Sequence, residues 1–218
     1  MSIKSLDIFE SDKFVSRGGQ KLEKALDFFN VSVENKICID SGASTGGFTD
    51  CLLKRNAKKV YAVDVGYGQL AWTLRKNPQV VVMERTNIRY VTSDMLEEKP
   101  EIATLDLSFI SLALVLPVVH NLGTTGIICL IKPQFEAGKG NVGKKGIVRD
   151  PKTHIDVLDT FIQNVTNAGY YTKGLTFSPV KGPKGNIEFL GYLTKQENIL
   201  NISTKALVEE AHLVLDVK

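Results

Sequence analysis

At 218 residues, 43% hydrophobic and 23% charged, the chain suits one large globular domain and is too apolar for intrinsic disorder. Its net charge of +3 is too mild to argue for nucleic acid by itself, so the distribution of the charge matters more than its sum.

Residues 1–16 read as an irregular lead-in. A helix is expected over 19–30, where Leu22, Ala25, Leu26 and Phe29 share one apolar face and Lys21 and Lys24 fall away from it. Strand patterns then fall at 36–40, 59–64, 79–83, 101–107, 125–131, 170–178 and 187–194, with helical patterns at 47–55, 68–76, 111–121 and 152–168. Short β-rich runs alternating with helices predict a mostly parallel sheet covered on both faces. Gly169 closes the long helix in the usual place for a C-terminal glycine. Only 178–186 separates the last two strands, too little for a helical crossover, so they should pair antiparallel. The domain is expected over 17–195, followed by a 196–218 tail with an amphipathic helix at 202–213.

The most informative stretch is 37–50. An apolar run ends in Asp40, and a turn carrying Gly42, Gly46 and Gly47 leads into Phe48 and a helix start. The second strand also ends in a carboxylate, Asp64. A dinucleotide site needs G-x-G-x-x-G so that backbone can approach a pyrophosphate. Asp40 ahead of the turn would repel a pyrophosphate and suit a cationic ligand. S-adenosylmethionine, with a sulfonium, an ammonium and no phosphate, fits, and Asp64 stands where ribose hydroxyls can donate to it. The rival readings are a nicotinamide or flavin nucleotide, or a purely structural turn. Seven strands with a terminal hairpin describe the Rossmann-like α/β fold of S-adenosylmethionine-dependent methyltransferases.

Three further segments lie at the sheet edge where such folds present chemistry: 106–109, 132–135 and 186–188. The first reads Asp-Leu-Ser-Phe and lacks the prolines of the Asp/Asn-Pro-Pro-aromatic loop common in base N-methyltransferases. No Pro-Cys supplies a nucleophile for base C5 chemistry. An oxygen acceptor remains, with Lys132 at the tip of strand five. A ribose hydroxyl is a poor nucleophile, and a lysine can take its proton only as the neutral amine, which a nearby like charge or desolvation favours. Lys21 approaching Lys132 would supply that like charge, with Asp106 and Glu188 fixing the geometry. Alone, each of the four is ordinary: a solvated lysine, a turn-capping aspartate, an exposed helix lysine, an edge glutamate. Their coincidence at four expected places carries the reading. The basic, glycine-containing 132–152 segment, with Lys139, Lys144, Lys145 and Arg149, can close on a phosphate backbone, and its plain alternative is a solvated loop. Arg17, Lys24 and Lys184 are further candidates for RNA contact.

Cys38, Cys51 and Cys129 are odd in number, lie in apolar contexts and form no C-x-x-C, which reads as buried thiols in a reducing, cytoplasmic setting. His120, His154 and His212 are far apart and lack metal-ligand spacing, so no metal is expected. The longest apolar-rich runs, 110–119 and 126–131, fall short of the ~20 residues that span a bilayer.

Several long segments resemble the hemolysin A (TlyA) family: 14–26 (Phe-Val-Ser-Arg-Gly-Gly-Gln-Lys-Leu onward), 40–50, 63–70, 84–89, 106–111 and 132–138. The resemblance runs from about 14 to 194. It implies a ribosomal RNA 2′-O-methyltransferase of the FtsJ/RrmJ-like superfamily, acting on cytidine in ribosomal subunits. It also implies a Lys-Asp-Lys-Glu tetrad at Lys21, Asp106, Lys132 and Glu188. Cofactor positions carried over are Asp40, Gly42, Gly46, Gly47, Phe48, Asp64, Asn87 and Ile88, with an amide at Asn87 where relatives often have an acid. Family members usually begin with a small S4-type RNA-binding domain. This chain starts near the linker, so a catalytic domain without that module is expected. The family name keeps a membrane-active or non-catalytic RNA-binding role as the alternative.

Overall fold

The computed structural model describes residues 13–197 and 202–216. Its strands are β1 (Ile37–Ser41), β2 (Lys59–Val63), β3 (Val80–Met83), β4 (Ile102–Leu105), β5 (Gly126–Ile131), β6 (Tyr171–Phe177) and β7 (Phe189–Thr194). They form one sheet in the order β3-β2-β1-β4-β5-β7-β6. Neighbours among β1 to β5 pair parallel, and β7 runs antiparallel to both β5 and β6. The helices are α1 (Gly18–Phe28), α2 (Gly47–Lys54), α3 (Trp72–Arg75), α4 (Leu116–Asn121), α5 (Pro133–Glu136), α6 (Pro151–Asn167) and α7 (Thr204–Leu215).

The period-2 alternation of a strand divides the sheet's side chains between two cores. On β5, Ile127, Cys129 and Ile131 join the larger core with residues of α4, α6 and α7. Ile128 and Leu130 point the other way, into a core built with Leu22, Ala25 and Leu26 of α1 and Phe48, Cys51 and Leu52 of α2. Both faces of the sheet are therefore covered, and β5 at its centre is apolar throughout.

Every strand lies within two residues of its expected span. The helices depart more. The expected 68–76 helix shrinks to the single turn of α3. The 111–121 helix breaks into a 3-10 turn at Leu112–Leu114 and then α4, where Pro117 occupies the first turn that proline tolerates. α5 is an unforeseen turn opened by Pro133. The expected tail is no appendage either. Ser203 caps α7 by accepting from Ala206 N, and Leu207, Val208 and Ala211 are buried in the larger core.

The direction of β7 brings distant residues together. Because it is antiparallel, its first residue, Phe189, pairs with Ile131, the last residue of β5. Glu188 and Lys132 each lie one residue beyond that pair and so emerge at the same edge, beside Asp106 after β4 and Gly42 after β1.

Candidate active site

The glycine turn after β1 is shaped by contacts that no side chain could share. Gly42 has φ +86°, and a Cβ there would lie 2.4 Å from the Asp106 carbonyl oxygen. Gly46, at φ +100°, faces Leu74 at 2.3 Å. Gly47 would meet Ser16 Oγ at 2.2 Å, so the chain ahead of α1 lies against the turn.

Asp40 requires a correction. Its carboxylate does not face a ligand, because it is fully buried and lines none of the three cavities at this edge. Oδ2 accepts from Thr49 Oγ1 at 2.7 Å and Oδ1 from Thr104 Oγ1 at 2.9 Å, tying β1 to α2 and β4. Burial pushes its pKa up to about 7, although both threonine hydroxyls oppose the shift. Asp40 therefore braces the turn from beneath.

Asp64 directly follows β2, on the wall of a cavity of about 660 Å³. Its Oδ2 accepts from Ser44 N at 2.8 Å and its Oδ1 from Gly66 N at 2.7 Å. Each oxygen keeps a lone pair for a further donor. Asn87 and Ile88 line the same cavity. The Asn87 side-chain oxygen accepts from Arg89 N at 3.1 Å, which turns the chain around the cavity's far end. Gly47 and buried Phe48 line a smaller adjoining cavity of about 200 Å³ together with Arg17. The larger volume is within the usual range for small-molecule sites.

The second large cavity, about 460 Å³, lies across the β4 loop. Gly42, Ser44, Asp106, Ser108 and Phe109 line both large cavities and form the wall they share. All four tetrad candidates line the 460 Å³ cavity. Lys132 Nζ is 2.6 Å from Asp106 Oδ1 and donates to Ser108 Oγ at 3.2 Å. Lys21 Nζ is 2.6 Å from Glu188 Oε2. Lys21 is only 8% exposed and turned inward, away from the solvent-facing position that was its plain alternative. Each ion pair joins a lysine to a carboxylate. Lys21 and Lys132 thus line one cavity, each beside its own carboxylate. Removing one member of a buried pair strands its partner, typically at about 3–5 kcal/mol.

Ser108, Phe109 and Glu136 carry site geometry that the sequence did not assign. Phe109 has φ +65°, is 88% exposed and places its ring centroid 5.0 Å from that of Phe135. Only the positive φ sets it apart, and nothing in the local sequence announces it.

The basic candidates separate. Lys184 lines the 460 Å³ cavity and Arg17 the smaller one, and both are exposed. Lys145 and Arg149 are exposed on the 138–149 loop, whose Val142 and Gly146 reach the cavity. The side chains of Lys139 and Lys144 lie outside the described residues. Lys24 stands apart. It lines none of the three cavities, and its ammonium sits 3.9 Å from the Phe177 ring centroid, where burial pushes its pKa down against Glu210. Among the described residues, no helix is long and apolar enough to cross a membrane.

The strand order, the glycine turn and the paired cavities at the strands' carboxyl ends define a Rossmann-like methyltransferase. The FtsJ-like methyltransferase family matches residues 14–195, and the chain belongs to that family. It is 56% identical to YqxC of Bacillus subtilis, a provisionally named rRNA methyltransferase, over 94% of this chain and 76% of that one. It is 44% identical to the 16S/23S rRNA (cytidine-2′-O)-methyltransferase TlyA of Mycobacterium tuberculosis, over 91% of this chain and 75% of that one. A solved chain from Streptococcus thermophilus, a provisionally named hemolysin, is 48% identical. It superposes with a TM-score of 0.90 over 93% of this chain and 76% of that one.

Proposed function

We propose that the chain transfers a methyl group from S-adenosylmethionine to a ribose 2′-hydroxyl of ribosomal RNA, at cytidine. The observation that carries this is the shared wall. Two lysine–carboxylate pairs stand in one cavity, and the glycine turn and Asp64 line its neighbour. The names of the curated relatives support rRNA and cytidine as the target.

S-adenosylmethionine, when bound, supplies an electrophilic methyl on a sulfonium. Asp64 accepts from its ribose hydroxyls, and Asn87 and Ile88 close the far end. The acceptor ribose enters beside Lys132. Once Lys132 has given up a proton, its amine can donate two N–H groups to Asp106 and Ser108 and keep its lone pair, in the remaining tetrahedral direction, for the 2′-hydroxyl proton. As the proton arrives, Asp106 stabilises the ammonium that forms. General base assistance of this kind contributes typically ~10²–10⁴-fold, and alignment of the reacting groups supplies much of the rest. Glu188 holds Lys21 against the opposite wall. Phe109 offers an exposed face on which a displaced base can stack. Arg17, Lys145, Arg149 and Lys184 stand at the rim for phosphates.

Nucleoside mass spectrometry tests the reading, using ribosomal particles that lack the modification, S-adenosylmethionine and either the wild-type chain or Lys132→Ala. The expected result is 2′-O-methylcytidine with the wild type and at least a ~10²-fold lower rate with the variant, at a cofactor affinity within a few fold. Equal rates would remove Lys132 as the base.

A further inference from the structure

Glu136 has no part in the chemistry above, yet it joins the two loops that carry it. It ends α5, one turn after Lys132. Its Oε2 accepts from Ser111 Oγ at 2.7 Å and its Oε1 from Leu112 N at 2.9 Å, both beyond β4. Ser111 Oγ in turn accepts from Ala113 N at 3.2 Å. Burial pushes the Glu136 carboxyl pKa up, and these two hydrogen bonds oppose the shift. A partly buried carboxylate that supports no fold-wide contact is an unusual choice unless the loop it holds needs holding.

That loop does need holding. Between Asp106 and Ser111 the chain passes through Phe109 in a left-handed conformation that L side chains rarely adopt. Phe109 is 88% exposed, so burial of its own ring does not stabilise that conformation. Leu107 and Ile110 beside it pack against the larger core, and the polar constraint comes from the flanks. Upstream, Asp106 N donates to Ser41 O at 3.0 Å. Downstream of Phe109, the hydrogen bonds that cross to the β5 loop are those of Glu136, beside the Phe109–Phe135 ring contact and the Lys132 contacts to Asp106 and Ser108.

We propose that Glu136 is a positioning residue, a clamp that joins the β4 loop to the β5 loop and so sets Asp106 and Ser108 on Lys132. Its effect on rate rests on the methyltransferase reading above, whereas its effect on loop order does not. Glu136→Ala removes both acceptors and frees the 107–112 segment. Glu136→Gln keeps the clamp, because its amide oxygen accepts from Leu112 N and its amide N–H donates to Ser111 Oγ.

The test combines hydrogen exchange with steady-state kinetics. In Glu136→Ala, exchange should rise at least ~10-fold at the Leu112 amide, which donates to Glu136, and at the Ala113 amide, which donates to Ser111, while the β-sheet amides stay as slow as in the wild type. Its kcat on RNA should fall roughly 10- to 100-fold with the KM for RNA changed by less than about 3-fold. Glu136→Gln should recover both readouts to within about 5-fold of the wild type. If Glu136→Ala does not fold, Ser111→Ala removes one of the two tethers and should give about half the effect on a logarithmic scale. Wild-type exchange at Leu112 and Ala113 in Glu136→Ala overturns the clamp. Raised exchange with unchanged kcat overturns the positioning role. If the wild type methylates no RNA, the functional reading fails, while the exchange result still decides the clamp.

Discussion

The carboxyl group of Asp40 lies fully buried between two hydroxyl donors, and its pKa moves from 3.8 to about 7. The direction identifies the dominant force. Hydrogen bonds from Thr49 and Thr104 favour the anion, but desolvation exceeds them, and the charge on Asp106 adds to it. A carboxyl with a raised folded pKa favours the fold most when protonated. Its contribution is fully present below about pH 4 and is lost as pH rises through about 7. The whole effect is on the order of 4 kcal/mol. Asp40→Asn cannot ionise, and Thr49 or Thr104 can rotate to accept from its amide. The variant's melting temperature relative to the wild type should therefore rise by several degrees between pH 4.5 and pH 8. A flat difference across that range would mean that Asp40 is not held neutral by burial.

At the level of elements, contacts from the C-terminal helix reach one wall of the 460 Å³ cavity. His154 Nδ1 and His212 Nε2 are 2.9 Å apart, joining α6 to α7. His212 Nδ1 lies 2.9 Å from Asp216 Oδ2, and Asp216 Oδ1 lies 2.5 Å from Lys181 Nζ. Lys181 belongs to the turn that supplies Gly182, Pro183 and Lys184 to the cavity. Burial and the neighbouring His212 push the His154 pKa down to about 4, so the ring is neutral at physiological pH and the chain of contacts does not contain two imidazolium ions. Asp216→Ala releases Lys181, and the expected result is a KM for RNA raised about 3- to 10-fold with cofactor affinity unchanged. Calorimetric titration of the cofactor beside the RNA kinetics checks the separation. An equal loss in both would make the effect a general loosening.

These elements also show what a sequence reveals. The strands are legible because apolar runs between turns leave few other structures for them. The terminal hairpin follows from a connection too short for a crossover. Lys21 is not legible in the same way. It stands four residues before Ala25, on the edge of the apolar stripe, but a lysine there reads as solvent-facing. Only Glu188, 167 residues away, explains its burial. His154 and His212 read as unrelated for the same reason. Asp40 was legible as special, but its neighbours were not. The two hydroxyls that occupy it come from α2 and β4, and without them a carboxylate before a glycine turn suggests a ligand contact.

Over the whole molecule, the basic residues that remain after Lys24 is set aside come from separate segments of chain, and the fold makes them one rim. Asn186 is the staple. Its side-chain oxygen accepts from Val148 N at 2.9 Å, and its amide donates to Gly146 O at 2.9 Å. The 143–149 loop is thereby fixed to the turn before β7. A Cβ on Gly146 would lie 3.9 Å from Lys184 Nζ, so that ammonium stands beside the loop that carries Lys145 and Arg149. A rim of this kind gives affinity through phosphates and carries no sequence information. Its signature is salt dependence, because each neutralised phosphate releases counterions. Binding of a ribosomal RNA fragment, measured from 50 to 300 mM salt, should give a straight line of log K against log salt. Arg149→Ala and Lys184→Ala should each reduce the slope by about 0.7–1 and weaken binding uniformly across fragments, at unchanged cofactor affinity. The two variants are expected to combine near additively in slope if each side chain neutralises its own phosphate. An unchanged slope in both would place the RNA backbone on another face and leave these side chains solvated.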